Sequence, residues 1–132
     1  MQTSHQDNRE SRRQRIYNAI DMKKNTLSEQ AQIKQEKFGQ FMSLIGLRER
    51  TILNYFDAIK TCSKIVSYTL ERKGYDSIYD INNPEEIRYI QQMLEQNPEY
   101  ITLNKKGNNR YSAGITNYIK FLDFLFVFTK RK

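Results

Sequence analysis

The sequence predicts an all-α protein with about five helices in a compact bundle, and three observations support this. Apolar residues recur at three- and four-residue steps, and no stretch alternates apolar and polar residues as a half-buried strand does. Helix start and stop signals separate the periodic segments. The chain has 132 residues, 38% of them hydrophobic and 12% aromatic, which is enough for one domain with one core.

The N-terminal segment is basic and weakly amphipathic. Residues 1–8 have no apolar anchor, and an arginine-rich helix is predicted over about 9–24. We therefore expect residues 1–25 to form a basic arm and residues 26–132 to form the helical bundle domain.

Capping residues bound the next predicted helix. Thr26 and Glu29 have the spacing of a capping box, in which the hydroxyl and the carboxylate satisfy free amides. This helix should end near Ile45, because Gly46 can adopt the left-handed conformation that terminates helices.

A longer helix is predicted over 49–72, with Gly74 as its stop signal. Its apolar residues form one stripe at helical spacing, namely Ile52, Tyr55, Phe56, Ile59, Cys62, Ile65, Val66 and Leu70. An acidic link at 75–82 follows, with Tyr75, Ile78, Tyr79 and Ile81 expected to point inward.

The next helix has a strong start signal. Asn83 provides the cap, Pro84 suits the first helical position, and two acids face the positive end of the helix dipole. It should stop before Asn97-Pro98, and residues 105–109 then read as a basic, flexible turn.

The last predicted helix, from about Ser112 to Phe128, is apolar on most sides. One stripe contains Ile115, Tyr118, Ile119, Leu122, Leu125 and Phe126, and a second contains Phe121, Phe124 and Phe128. Such a helix is either central to the core or meets a partner, through a dimer face or a further domain.

Charge is separated along the chain, which has a net charge of +7. Residues 105–132 carry seven basic residues against one acid, whereas residues 75–104 carry one basic residue against six acids. Basic surfaces of this kind favour a polyanionic partner, and nucleic acid is the usual one.

Two stretches resemble known families. The segment from Arg50 to Ile59 is similar to the start of the SAM-like core-binding domain of tyrosine recombinases. The segment from Tyr79 to Leu122, with Asn109-Arg110-Tyr111-Ser112-Ala113 within it, resembles the small helical domain that precedes HNH-type and other nuclease domains in bacterial restriction proteins. The resemblance implies a helical module that engages DNA, here without a catalytic domain.

The candidate DNA-binding residues fall into three basic sets. One is at a predicted helix start and one on the basic turn before the last helix, where backbone amides and cations could hold a phosphate together. The third is the N-terminal arm, which could follow the DNA backbone or enter a minor groove. The sets are Arg48, Arg50 and Thr51; then Lys105, Lys106, Asn108, Asn109, Arg110, Tyr111 and Ser112; then Arg9, Arg12, Arg13 and Arg15.

Catalytic chemistry has little support in this sequence. His5 is the only histidine, Cys62 the only cysteine, and no phosphate loop, dinucleotide fingerprint or nucleophile elbow occurs. Cys62 lies on an apolar stripe and is expected to be a buried structural thiol. We expect no enzyme activity, metal or cofactor, and a soluble, cytoplasmic protein without a membrane span.

Two functions are compatible with these features. The first is a non-catalytic DNA-binding module, accessory or regulatory to recombination, restriction or a mobile element. The second is a protein-interaction module, an oligomeric regulator or an inhibitor of a nucleic-acid enzyme. Its contact surfaces would be the Phe121, Phe124 and Phe128 face and the acidic segment at 75–104. Four tyrosines, Tyr89, Tyr100, Tyr111 and Tyr118, could also stack on exposed bases. Tyr111 and Tyr118 are spaced at a helical interval, and such residues are more often in the core or at its rim.

Overall fold

The computed structural model describes residues 27–130, with side chains up to Val127, and this part of the chain is all-helical as predicted. Six α-helices and one short 3₁₀-helix pack around a shared core, and no strand occurs within these residues. The helix predicted at 9–24 and the arm at 1–25 lie outside the described residues.

Helix α1 (Glu29–Leu44) begins at Ser28, whose Oγ accepts a 3.1 Å hydrogen bond from the Ala31 backbone N–H. The start predicted at Thr26 is wrong by two residues, because the closer serine satisfies the free amide. The predicted end is confirmed, with Gly46 at a φ of 93° that a residue without Cβ adopts at little cost.

The single helix predicted over 49–72 is two helices, α2 (Glu49–Ile65) and α3 (Ser67–Arg72). Val66 lies between them with φ −103° and ψ 22°, and its side chain stays buried. Because the apolar stripe continues across the break, its periodicity alone could not reveal it.

The predicted acidic link contains the 3₁₀-helix (Ile78–Asp80) and buries three apolar side chains that were expected to point inward: Ile78, Tyr79 and Ile81. Helix α4 (Pro84–Glu95) then begins as predicted, since Asn83 Oδ1 accepts a 2.8 Å hydrogen bond from the Glu85 N–H.

Helix α5 (Pro98–Lys106) is absent from the predicted helices, and the turn predicted from Lys105 begins only after Lys106. Asn97 and Pro98 are a second Asn-Pro start, in which Asn97 Oδ1 accepts a 3.1 Å hydrogen bond from the Tyr100 N–H. The proline that stops one helix therefore also opens the next.

Helix α6 (Arg110–Lys130) starts two residues earlier than predicted and is central to the core. Ile115, Tyr118 and Leu122 are all buried, which favours the central-helix alternative over an outer contact face. The buried face ends after Leu122, so Phe126, which the stripe places inside, is 55% exposed.

Aromatic rings join α1 to its neighbours. The Phe38 ring lies 5.2 Å from that of Tyr118 in an edge-to-face arrangement, 5.5 Å from Phe121 and 6.3 Å from Phe56. Tyr118 also donates a 3.1 Å hydrogen bond to the Ile81 carbonyl, so its buried hydroxyl is satisfied. This cluster fixes α1, α2, the 3₁₀-helix and α6 relative to one another.

Candidate nucleic-acid interface

The first predicted basic set lies at the start of α2. Arg48 is the N-cap residue and makes no side-chain capping bond, and Arg48 and Arg50 are both exposed. Thr51 is half-buried beside them. Both guanidinium groups are therefore presented near the positive end of the helix dipole, where an anion is favoured.

The exposed face of α2 carries further cations. Arg50, Asp57 and Lys64 are spaced by seven residues, which places them on one line of the helix about 10 Å apart. Lys60 is half-buried beside this line. We call Arg48, Arg50, Asp57, Lys60 and Lys64 the α2 ridge; it spans about 24 Å along the helix axis. Arg48 is the N-cap residue, off the line of Arg50, Asp57 and Lys64, and the acid Glu49 lies between the two arginines in the chain.

Lys60 and Lys64 are not among the residues predicted from the sequence. The signal for Lys64 is its distance of two seven-residue steps from Arg50, through Asp57, on the polar side of the apolar stripe; Lys60 lies four residues before Lys64, one helical turn away. The break at Val66 leaves both lysines in α2, so the ridge has one continuous helix beneath it.

The second predicted basic set is divided between two elements. Lys105 and Lys106 belong to the last turn of α5, where they are exposed and complement the negative end of its dipole. Asn108 and Asn109 form the turn that follows, with φ of 54° and 64°, and both are exposed.

The backbone amides at the start of α6 are already engaged. The Ser112 N–H donates to Asn104 Oδ1 at 3.0 Å, and the Ala113 N–H donates to the Asn109 carbonyl at 2.9 Å. The Arg110 N–H donates to the Gly107 carbonyl at 3.1 Å. A phosphate would have to displace these internal bonds, so this turn is not the open amide cradle that its sequence suggests.

Arg110 is held against the protein surface. Its Nη2 lies 3.8 Å from Asp57 Oδ2 and donates a 2.7 Å hydrogen bond to the Tyr111 hydroxyl, which raises the pKa of Arg110. This ion pair brings the second set to the α2 ridge, since Asp57 lies between Arg50 and Lys64. The Arg110 guanidinium is engaged by Asp57 and Tyr111, so Lys105 and Lys106 are the cations of this set that are more available to a phosphate.

Burial separates the four candidate stacking tyrosines. Tyr100, Tyr111 and Tyr118 are at most 6% exposed, and their rings therefore cannot reach a base in this structure. Tyr89 is 51% exposed. The core-or-rim interpretation is therefore confirmed for Tyr111 and Tyr118, and Tyr100 is buried as well. Of these four rings, that of Tyr89 alone is exposed enough to stack on a base.

The proposed phenylalanine face is only partly at the surface. Phe121 is 2% exposed and belongs to the core, which corrects its assignment to a contact face, whereas Phe124 is 50% exposed. The side chain of Phe128 lies outside the described residues, as do Arg9, Arg12, Arg13 and Arg15.

A cavity of about 220 Å³ lies between α1, the end of α2 and the 3₁₀-helix. Gln35 lines it and is fully buried, yet its amide makes one long hydrogen bond, 3.4 Å to the Tyr79 hydroxyl, and its Oε1 has no partner. Cys62 is buried elsewhere in the core, and desolvation raises the pKa of its thiol to about 12, as expected for a structural cysteine.

Within residues 27–130 no group of three or more histidine, cysteine, aspartate or glutamate side chains could hold a metal ion. None of the helices there has the length and apolarity that crossing a membrane requires.

Comparison with known proteins finds no matching family model, no matching curated protein and no matching solved structure. The resemblance to recombinase core-binding and restriction-associated domains therefore stays a prediction.

Proposed function

We propose that this chain is a non-catalytic module that binds DNA through the α2 ridge and the exposed lysines at the end of α5. The observation that carries the proposal is the exposed line of Arg50 and Lys64 on one face of α2, with Lys60 beside it and Arg48 at the start of the helix. The line from Arg50 to Lys64 is about 21 Å long, so its cations can meet well-separated phosphates of one duplex.

The acidic residue in the ridge is consistent with this proposal. Asp57 pairs with Arg110, which reduces its repulsion of a neighbouring phosphate. Lys105 and Lys106 extend the positive surface beyond this pair. An accessory or regulatory role in recombination, restriction or a mobile element rests on the sequence resemblance alone.

Duplex binding measured at a series of salt concentrations tests the proposal. If the four ridge cations and the two α5 lysines each neutralise one phosphate, log K should fall with log salt with a slope of about −5. Reversing both Arg50→Glu and Lys64→Glu should reduce that slope by about 2 and weaken binding uniformly across sequences.

The single variants Arg50→Glu and Lys64→Glu are each compared with Lys37→Glu as a matched control. Lys37 is exposed on the outer face of α1, and its replacement by glutamate changes the net charge by the same amount. Equal losses for Lys37→Glu and Lys64→Glu would indicate a general charge effect and no defined ridge. No binding of the unaltered protein at low salt would remove the proposal.

Exposed apolar residues favour a second candidate function, contact with another protein. The Phe41 and Phe124 rings lie 5.5 Å apart, and one turn further along each helix Leu44 and Val127 are 82% and 52% exposed. Light scattering after size exclusion should then show an assembly that Leu44→Glu disperses. A monomer at high concentration would contradict self-association through this surface.

A further inference from the structure

A cleft between α3 and α4 contains aromatic and cationic side chains that the basic ridge does not include. Its volume is about 520 Å³, within the range of about 300–1,000 Å³ of small-ligand sites. Its lining residues are Tyr68, Thr69, Arg72, Lys73 and Tyr89.

The two exposed tyrosines among the described residues both line this cleft. Tyr68 is 70% exposed and Tyr89 is 51% exposed, whereas the other described tyrosines are buried or half-buried. A large aromatic ring left in water on each side of one cleft provides two stacking surfaces.

A cation accompanies each ring. The Arg72 guanidinium carbon lies 5.8 Å from the centre of the Tyr68 ring, and the Lys73 Nζ lies 5.5 Å from the centre of the Tyr89 ring. Cation–π attraction at these distances restrains the rings and leaves positive charge beside them. The Lys73 Nζ also lies 3.4 Å from Glu86 Oε2, and this ion pair partly neutralises its charge. Arg72 is therefore the cation more available to a ligand.

Two exposed aromatic rings with a cation beside each favour a ligand that has both an aromatic ring and a negative charge. An unpaired nucleotide has an aromatic base that can stack on tyrosine and a phosphate that can meet the cations. A quaternary ammonium ligand would be repelled by Arg72 and Lys73, and an acidic peptide would leave the aromatic faces unused.

We propose that the α3–α4 cleft binds unpaired nucleotides of single-stranded nucleic acid by stacking bases on Tyr68 and Tyr89. This inference rests on the proposed function and extends it from duplex phosphates to unpaired bases.

The test compares a labelled single strand, its duplex and the equivalent RNA by fluorescence anisotropy. The Tyr68→Leu/Tyr89→Leu variant should weaken single-strand binding by at least about 30-fold, while duplex binding changes by less than about threefold. The Tyr68→Phe/Tyr89→Phe variant keeps both aromatic faces and should bind within about threefold of the unaltered protein. If the leucine variant loses affinity for both single-stranded DNA and RNA, the cleft binds unpaired bases of either kind by stacking. If it loses affinity for one of them, that nucleic acid is the ligand.

The binding measurements distinguish an error in the cleft proposal from an error in the proposal that the protein binds DNA. If the leucine variant binds the single strand normally while Lys64→Glu weakens the duplex, the cleft inference is overturned and the ridge stands. If the unaltered protein binds neither strand form at low salt, both are overturned. Should the double leucine variant not fold, the single variant Tyr68→Leu provides the same comparison, because this ring is 70% exposed and its loss costs little packing.

Discussion

Helix α6 crosses helix α2 at Gly114, and a methyl group introduced there tests how closely the two helices pack. A Cβ at position 114 would lie 2.9 Å from Ala58 Cβ and 3.7 Å from the Tyr55 carbonyl oxygen. Carbon atoms normally approach to about 3.5–4.0 Å, so the helices would have to separate by at least about 0.6 Å. Neither neighbour is the end of a flexible side chain that could move aside.

Two opposing effects set the size of the change. Overpacking costs about 1–3 kcal/mol of unfolding free energy, whereas alanine in a helix is about 1 kcal/mol better than glycine. Gly114→Ala should therefore lower the unfolding free energy by about 0–2 kcal/mol. Ala58→Gly alone should lower it by about 1 kcal/mol, because of its poorer helix propensity.

The double variant separates packing from propensity. In Gly114→Ala/Ala58→Gly the new methyl group fills the space of the removed one, so the unfolding free energy should return close to the original. The coupling free energy between the two sites should then be about 1–3 kcal/mol.

Urea denaturation followed by circular dichroism measures all four proteins. Thr116→Ala, exposed on the same helix, is the control for alanine's helix propensity and should raise stability by no more than about 0.7 kcal/mol. A Gly114→Ala protein that is about 1 kcal/mol more stable, with no coupling to Ala58, would refute the close crossing.

Three other properties of the protein can be tested in the same way. Cys62, whose folded pKa is about 12, should stay unreactive toward thiol reagents until the protein unfolds. Its pKa is raised on folding from 9.0, so the thiol's stabilising contribution is complete below that value. That contribution should be lost by about 1.4 kcal/mol per pH unit as the pH rises toward 12, and Cys62→Ala should remove this slope in pH-dependent denaturation. The double variant Gln35→Met/Tyr79→Phe, which removes both partners of a poorly satisfied buried bond, should match or exceed the original stability, whereas Tyr79→Phe alone should not. Asn97→Ala should cost about 1 kcal/mol in thermal denaturation if the α5 cap forms, and no effect would contradict that cap.

Some boundaries were predictable because their signals are local. Asn83-Pro84 starts α4 and Gly46 ends α1, since the capping bond and the left-handed conformation depend on a few adjacent residues. Asn97-Pro98 is the same start signal and begins α5. A proline after a helix also indicates where that helix stops, and only the fold shows that Pro98 both follows α4 and begins α5.

The candidate interface was predictable only in part. Arg48 and Arg50 stand out as a cluster in the sequence, whereas Lys60 and Lys64 join them through the helical period. The engaged amides at Ser112 and Ala113 depend on Asn104 and Asn109, whose positions follow from the unpredicted helix α5 and its turn.

From its amino acids alone, the chain determines an all-helical domain with a basic surface, because helical periodicity depends on residues close in the chain and net charge depends on composition. Tertiary structure decides which polar groups stay in water. It buries Tyr111, pairs Arg110 with Asp57, and leaves Tyr68 and Tyr89 exposed around one cleft. The physical reason is that burial and ion pairing depend on residues far apart in the chain, which meet only when α2, α3, α4 and α6 pack.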